Sequence, residues 1–187
     1  EAHHAGDLQK AEQLYHSILA REPEQTESLH LLGLIAHQHG HPDQAIPFLN
    51  KAIQIQPHTA LFYSDLGNAW KMKGNFERSI ECYQKAITLN PNLTEAYNNY
   101  GNALVKQGYL ALALEEYQKA LQLQPQNSQI LENIAYAYKI GDQLELAVEY
   151  YRKALEYNPN SIESHYGLAH ILHNQNCIEE AMKHYQA

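Results

Sequence analysis

The chain has 187 residues, 44% of them apolar, and a formal charge of −8. That apolar share is ample for a packed interior and excludes a disordered chain. The acidic balance comes with no basic stripe, no lysine-rich amphipathic face and no long apolar run, which speaks against nucleic acid, a membrane surface and a membrane span. Two cysteines, Cys82 and Cys177, lie far apart and form no disulfide framework or metal-ligand spacing. This usage fits a reducing compartment, and a cytoplasmic location is the expectation. No signal peptide is visible. The chain opens at Glu1 and stops within its own pattern, so the expectation is a piece of a longer protein.

A fixed period governs everything else. Gly33, Gly67 and Gly101 are 34 residues apart (67−33, 101−67), and so are Pro23, Pro57, Pro91, Pro125 and Pro159. Such a period marks stacked supersecondary units. Apolar residues at three- and four-residue steps predict helices over 8–20, 26–39, 42–55, 60–73, 76–89, 94–107, 110–123, 128–140, 144–157, 162–174 and 178–186. Pro47 falls inside the third and predicts a slight bend. Glycine at Gly40, Gly74 and Gly108 ends the first helix of a pair, with Gly141 one residue early in the fourth. Asn127 and Ser128 suit the start of the next helix.

Small residues recur in fixed columns: Ala45, Ser79, Ala113, Ala147 and Ala181, then Ala52, Ala86, Ala120 and Ala154. Tyr15, Tyr83, Tyr117, Tyr151 and Tyr185 form an aromatic column, with Leu49 standing in once. Together with Leu32-Gly33, Leu66-Gly67 and Tyr100-Gly101, these columns resemble the tetratricopeptide repeat family along essentially the whole chain. Ala135 and Ala169 replace the glycine in the last two units. The resemblance implies an all-α, right-handed superhelical solenoid of antiparallel helix pairs. The expected division is one solenoid over 1–187, with a partial repeat at 1–25, full repeats at 26–59, 60–93, 94–127 and 128–161, and a partial repeat at 162–187. Neither end reads as a polar cap, and Leu14, Ile18, Ile178 and Met182 are expected to be poorly covered. Self-association through the ends follows as an expectation.

In this family the first helix of each pair lines the inner face, so its non-packing positions are the ones to read for function. They run Glu27, His30, Leu31, Leu34 and His37; Ser64, Asp65, Asn68 and Lys71; Asn98, Asn99, Asn102 and Lys106; Gln129, Glu132, Asn133, Tyr136 and Lys139; and Glu163, Tyr166, His170 and His173. A carboxamide offers two donors and an acceptor with two lone pairs, so a row of them can pair with the backbone of an extended peptide. Asparagine is also a poor helix former, and its use in mid-helix argues for a task. The candidate peptide-binding residues are Asn68, Asn99, Asn102 and Asn133, flanked by Asn98, Lys71, Lys106, Lys139 and Tyr136. Leu31, Asp65 and Gly167 interrupt the column of Asn99 and Asn133.

The asparagine row, and the phrases EAYNNYGNALVKQG and FYSDLGNAWKMKG, resemble the repeats of O-linked N-acetylglucosamine transferases and of bacterial proteins that carry such repeats before a catalytic domain. The resemblance implies a recognition arm for an extended peptide; the alternative is a stand-alone scaffold for a protein complex. A clamp for chaperone carboxylates would need basic residues where Ser64, Gln129 and Asn133 stand. No phosphate loop, GxSxG or HExxH occurs, so no catalytic residue, cofactor or metal is expected. His37, His39 and His41 alternate where a helix ends, and His170 and His173 lack a third ligand.

Overall fold

A computed structural model describes residues 8–186, and every structural statement concerns these. Among them the chain forms eleven helices and no strand: α1 Leu8–Arg21, α2 Thr26–Gln38, α3 Pro42–Ile55, α4 Ala60–Met72, α5 Phe76–Leu89, α6 Thr94–Lys106, α7 Leu110–Leu123, α8 Ser128–Ile140, α9 Leu144–Tyr157, α10 Ile162–Asn174 and α11 Ile178–Gln186. The expected bounds agree to within one residue at every end. The first seven residues of the expected partial repeat lie outside the described residues. Helix α3 runs on through Pro47.

The chain forms two compact units, Glu1–Asn99 and Tyr100–Ala187, and α6 crosses the join. In the first unit α2 packs on α3 and α4 on α5, while α2 also touches α4. In the second α8 packs on α9 and α10 on α11, while α8 also touches α10. Each unit is therefore a stack of helix pairs whose first helices are neighbours.

The columns explain the packing. Ala45, Ser79, Ala113, Ala147 and Ala181 are all buried, as are Ala52, Ala86, Ala120 and Ala154. Small side chains there let two helix backbones close up, and burial of the larger residues between them supplies the driving force. Leu49, Tyr83 and Tyr117 fill the space between paired helices. Each needs a gap on the facing helix. A methyl group added to Gly67 would come within 2.6 Å of the Tyr83 ring, and one added to Gly33 within 2.7 Å of Leu49 Cγ.

The turn between paired helices needs a left-handed residue. Gly40, Gly74 and Gly108 supply it with φ of +75°, +80° and +82°. In the fourth and fifth pairs Asp142 (φ +58°) and Asn176 (φ +62°) take the same position, exactly one repeat further along each time. This corrects the reading of Gly141 as an early turn glycine: Gly141 has φ −76° and ends the helix conventionally. The phase never slips; the residue type changes to the two side chains that best tolerate this conformation. Helix starts follow one column too. Gln25, Asn127 and Ser161 each accept a hydrogen bond from the backbone N–H three residues on.

At the outer edges Leu14, Ile178 and Met182 are exposed, and Ile18 is half-buried. Tyr185 is also exposed, although its column mates Tyr83, Tyr117 and Tyr151 are buried.

Candidate functional site

The first helices of each pair carry the polar face. In the first unit the pieces are His30 and His37 on α2, Asp65, Asn68 and Lys71 on α4, and Glu95 and Asn99 on α6. His30 Nε2 lies 2.6 Å from Asp65 Oδ2, with both side chains only about 10% exposed. The His30 ring also packs on Phe62, with ring centres 4.7 Å apart. This pair is a structural tie between neighbouring first helices, a role that an exposed inner-face histidine would not have. His37 sits nearby, and its Nδ1 is buried with no partner among the described residues. Burial lowers the His37 imidazole below its usual 6.5, Asp65 pulls the other way, and Lys71 adds to the lowering.

Asn68 and Asn99 are held in place. Tyr83 Oη donates to Asn68 Oδ1 at 2.7 Å. Lys71 Nζ donates to Asn99 Oδ1 at 3.1 Å, and Asn99 Nδ2 donates to Glu95 Oε1 at 3.4 Å. Burial lowers the Lys71 ammonium from its usual 10.5, with Glu95 opposing. Asn98 is half-buried on the same turn of α6.

In the second unit the same device recurs. Tyr117 Oη donates to Asn102 Oδ1 at 2.7 Å. The spacing from asparagine to tyrosine is 15 residues in both cases (83−68, 117−102). The buried tyrosine column thus fixes which way each carboxamide faces, because its oxygen is taken and its two N–H donors must point elsewhere. The next position in the asparagine column is Tyr136. Lys106, expected as a flanking contact, is exposed at the last residue of α6. The position one repeat after Lys71 is Val105, and Lys139 follows in that column.

A concave pocket of about 270 Å³ opens between α8 and α10, floored by Tyr151 of α9. Asn133, Gln129 and Tyr136 line one side, Tyr166 and Gly167 the other, with Lys139 and Glu163 towards the ends. Tyr136 and Tyr166 are 42% and 59% exposed. The Lys139 ammonium stands 5.7 Å from the centre of the Tyr136 ring. Glu132, expected on the open face, is instead buried, accepting from Ser161 Oγ at 2.5 Å and from Ser164 Oγ at 3.1 Å. It ties α8 to the start of α10. The sequence carried signals for the tyrosine–asparagine pairs, in their repeated spacing, but none for the His30–Asp65 or Glu132–serine ties.

Of the predicted residues, Asn68, Lys71, Asn98 and Asn99 fall in the first unit, and Asn102, Lys106, Asn133, Tyr136 and Lys139 in the second. Lys71 is joined to Asn99, and Asn133, Tyr136 and Lys139 share one pocket. Among the described residues no three His, Cys, Asp or Glu side chains converge on a common point, and no helix is long and apolar enough to cross a membrane.

Comparisons with known proteins agree with this architecture. The sequence pattern described as TPR repeat matches residues 67–108, 101–141 and 137–176, and that described as Tetratricopeptide repeat matches residues 2–64. A probable UDP-N-acetylglucosamine–peptide N-acetylglucosaminyltransferase SEC of Arabidopsis thaliana is 36% identical over 70 residues, which is 37% of this chain and 7% of that protein. The crystal structure of MamA is 30% identical, with a TM-score of 0.76 over 84% of this chain and 92% of that one. PilF of Pseudomonas aeruginosa is 26% identical, with a TM-score of 0.80 over 89% of this chain and 76% of that one. Cut9, from the APC/C hetero-tetramer Cut9-Hcn1, shares the fold at 16% identity, with a TM-score of 0.84 over 98% of this chain and 36% of that one.

Proposed function

The chain belongs to the tetratricopeptide repeat family, and from that premise we propose that this protein-interaction module binds an extended peptide along the first helices of its pairs, without catalysis of its own. The observation that carries this reading is the fixing of the carboxamides. Asn68 and Asn102 are each held by a buried tyrosine hydroxyl at 2.7 Å, and Asn99 is held by Lys71. Donors already oriented lose little entropy on binding a peptide carbonyl. Within the second unit Asn133, Tyr136 and Lys139 offer a contact surface of their own, and Asn98, Lys71 and Lys106 flank the asparagines of their respective units. Such contacts address peptide backbone and depend little on its sequence.

The test is replacement of Asn99 and of Asn133 by alanine, with binding to a peptide library followed by fluorescence anisotropy. Each lost pair of backbone hydrogen bonds is expected to weaken binding by about 10-fold. Unchanged affinity in a variant with intact helicity would remove the asparagines from the site.

The likeness to the transferase SEC, over 70 residues, favours a recognition arm within a larger modifying enzyme. A stand-alone scaffold is the second reading, favoured by the exposed apolar residues Leu14, Ile178, Met182 and Tyr185, which suit contacts with a second copy. A light-scattering mass that stays monomeric at high concentration would count against self-association. Both cysteines are free thiols, which accords with a cytoplasmic setting.

A further inference from the structure

The fourth repeat breaks a rule that the second and third keep. Tyr83 and Tyr117 each donate a hydroxyl hydrogen bond to the asparagine 15 residues earlier (83−68, 117−102). The corresponding residue for Tyr151 is Tyr136, which carries no carboxamide. Tyr151 is only 3% exposed, yet its hydroxyl has no hydrogen-bond partner among the described residues. A hydroxyl that bonds no protein group is left to bond water or a ligand, so its position calls for a reason.

Its position supplies one. A methyl group added to Gly167 would lie 2.7 Å from Tyr151 Oη, so the hydroxyl reaches the Gly167 backbone. Gly167 and Tyr151 both line the pocket between α8 and α10. The hydroxyl therefore stands at the floor of a pocket flanked by the two exposed rings Tyr136 and Tyr166. Gly167 occupies the column of Asn99 and Asn133, and the side chain it lacks is what leaves the floor open. The volume, about 270 Å³, falls just below the range of whole-ligand pockets and is scaled to one side chain.

The chemistry narrows the occupant. Tyr136 and Tyr166 offer ring faces for an aromatic body. Glu163 and the buried Glu132 repel a carboxylate, and Lys139 repels an ammonium. The Tyr151 phenol is uncharged, since burial first, then Tyr136 and Glu132, push it up to about 12. A neutral ring with a hydrogen-bonding tip meets all of these conditions.

We infer that this pocket receives a tyrosine side chain of the bound peptide, its ring against Tyr136 and Tyr166 and its hydroxyl hydrogen-bonded to Tyr151 Oη. This rests on the peptide reading above and adds a specificity to it. The site is neutral and selective at this one position, while the asparagines remain indifferent to sequence.

The experiment uses the whole chain and two fluorescein-labelled decapeptides, identical except for tyrosine or phenylalanine at the fifth position. Anisotropy titrations are run on the native protein, on Tyr151→Phe and on Asn133→Ala. The native protein should prefer the tyrosine peptide by about 3- to 10-fold, the value of one hydrogen bond to a buried partner. Tyr151→Phe keeps the ring and the packing, and should bring the two peptides to parity by weakening only the tyrosine one. Equal binding of both peptides by the native protein would overturn the inference. So would equal weakening of both by Tyr151→Phe, because the hydroxyl would then serve the fold or the peptide backbone. If both peptides bind, depend on Asn133 and are not distinguished, the inference fails and the peptide reading stands. If neither binds, both fail together.

Discussion

Tyr151 leans on Gly167 of the following helix pair, whereas Tyr83 and Tyr117 lie on Gly67 and Gly101 of their own. The glycine columns of these repeats differ by one methyl group. Ala135, fully buried, stands in the glycine column of the fourth repeat and packs in one core cluster with Tyr151. The ring finds its gap one helix further on, where glycine replaces asparagine.

The first prediction concerns that contact. Gly167→Ala would place a methyl carbon 2.7 Å from Tyr151 Cε2 and Oη. Overpacking of this kind costs about 1–3 kcal/mol. Urea denaturation followed by circular dichroism should show the loss, and a midpoint equal to that of the native protein would mean that the ring moves aside at no cost.

Turn chemistry gives the second. Asp142 has φ +58° at a position filled by glycine in three earlier pairs. Replacement by glycine removes the steric cost of the left-handed conformation and returns some backbone entropy to the unfolded chain. The net expectation for Asp142→Gly is a gain of about 0.5–1 kcal/mol. A thermal midpoint that fell would show that the Asp142 side chain contributes more than its backbone costs.

The third is a pH dependence. His165 Nε2 faces the Pro159 carbonyl at 2.9 Å and must donate to it, so in the neutral ring Nδ1 is an acceptor. His184 Nδ1 lies 2.9 Å from that atom and donates. The contact holds while at least one ring is neutral. Burial, then His165, then Arg152 lower the His184 imidazole below 6.5, with Glu180 opposing. A lowered imidazole favours the folded state above 6.5, and this advantage is lost as pH falls below that value. Helix α11 should therefore exchange its amide hydrogens faster at pH 5 than at pH 7.5, after correction for intrinsic rates. His184→Gln should flatten this dependence; an unchanged dependence would assign it elsewhere.

The fourth separates the two thiols. Burial first, then Glu81, push the Cys82 thiol up to about 12, with Arg78 opposing, while Cys177 is exposed. Reaction with Ellman's reagent at pH 8 should label Cys177 at least about 100-fold faster, since the thiolate is the reacting form. Comparable rates would mean that α5 opens readily.

Asn68 and Tyr83 mark where legibility in the sequence stopped. Both residues were visible, as inner-face polar and core aromatic, and so was the recurrence of their spacing. That one holds the other was not, because a helix-face reading assigns each residue to one side only. Lys106 illustrates a different loss. It was grouped with Lys71 and Lys139 by charge, yet it lies one position out of their column, where a helix turns a side chain by roughly 100°.

What the sequence determined by itself was everything that repeats: eleven helix bounds to within a residue, the small-residue columns, and the family. Periodicity, capping and turn residues act within a few positions of each other, and the stack repeats each local answer. What tertiary structure alone decided was partnership. His30 meets Asp65, Glu132 meets Ser161 and Ser164, and Tyr151 packs on Gly167 only because neighbouring helices bring them together. Those choices rest on which side chain is missing or enlarged next door, a matter of packing in three dimensions.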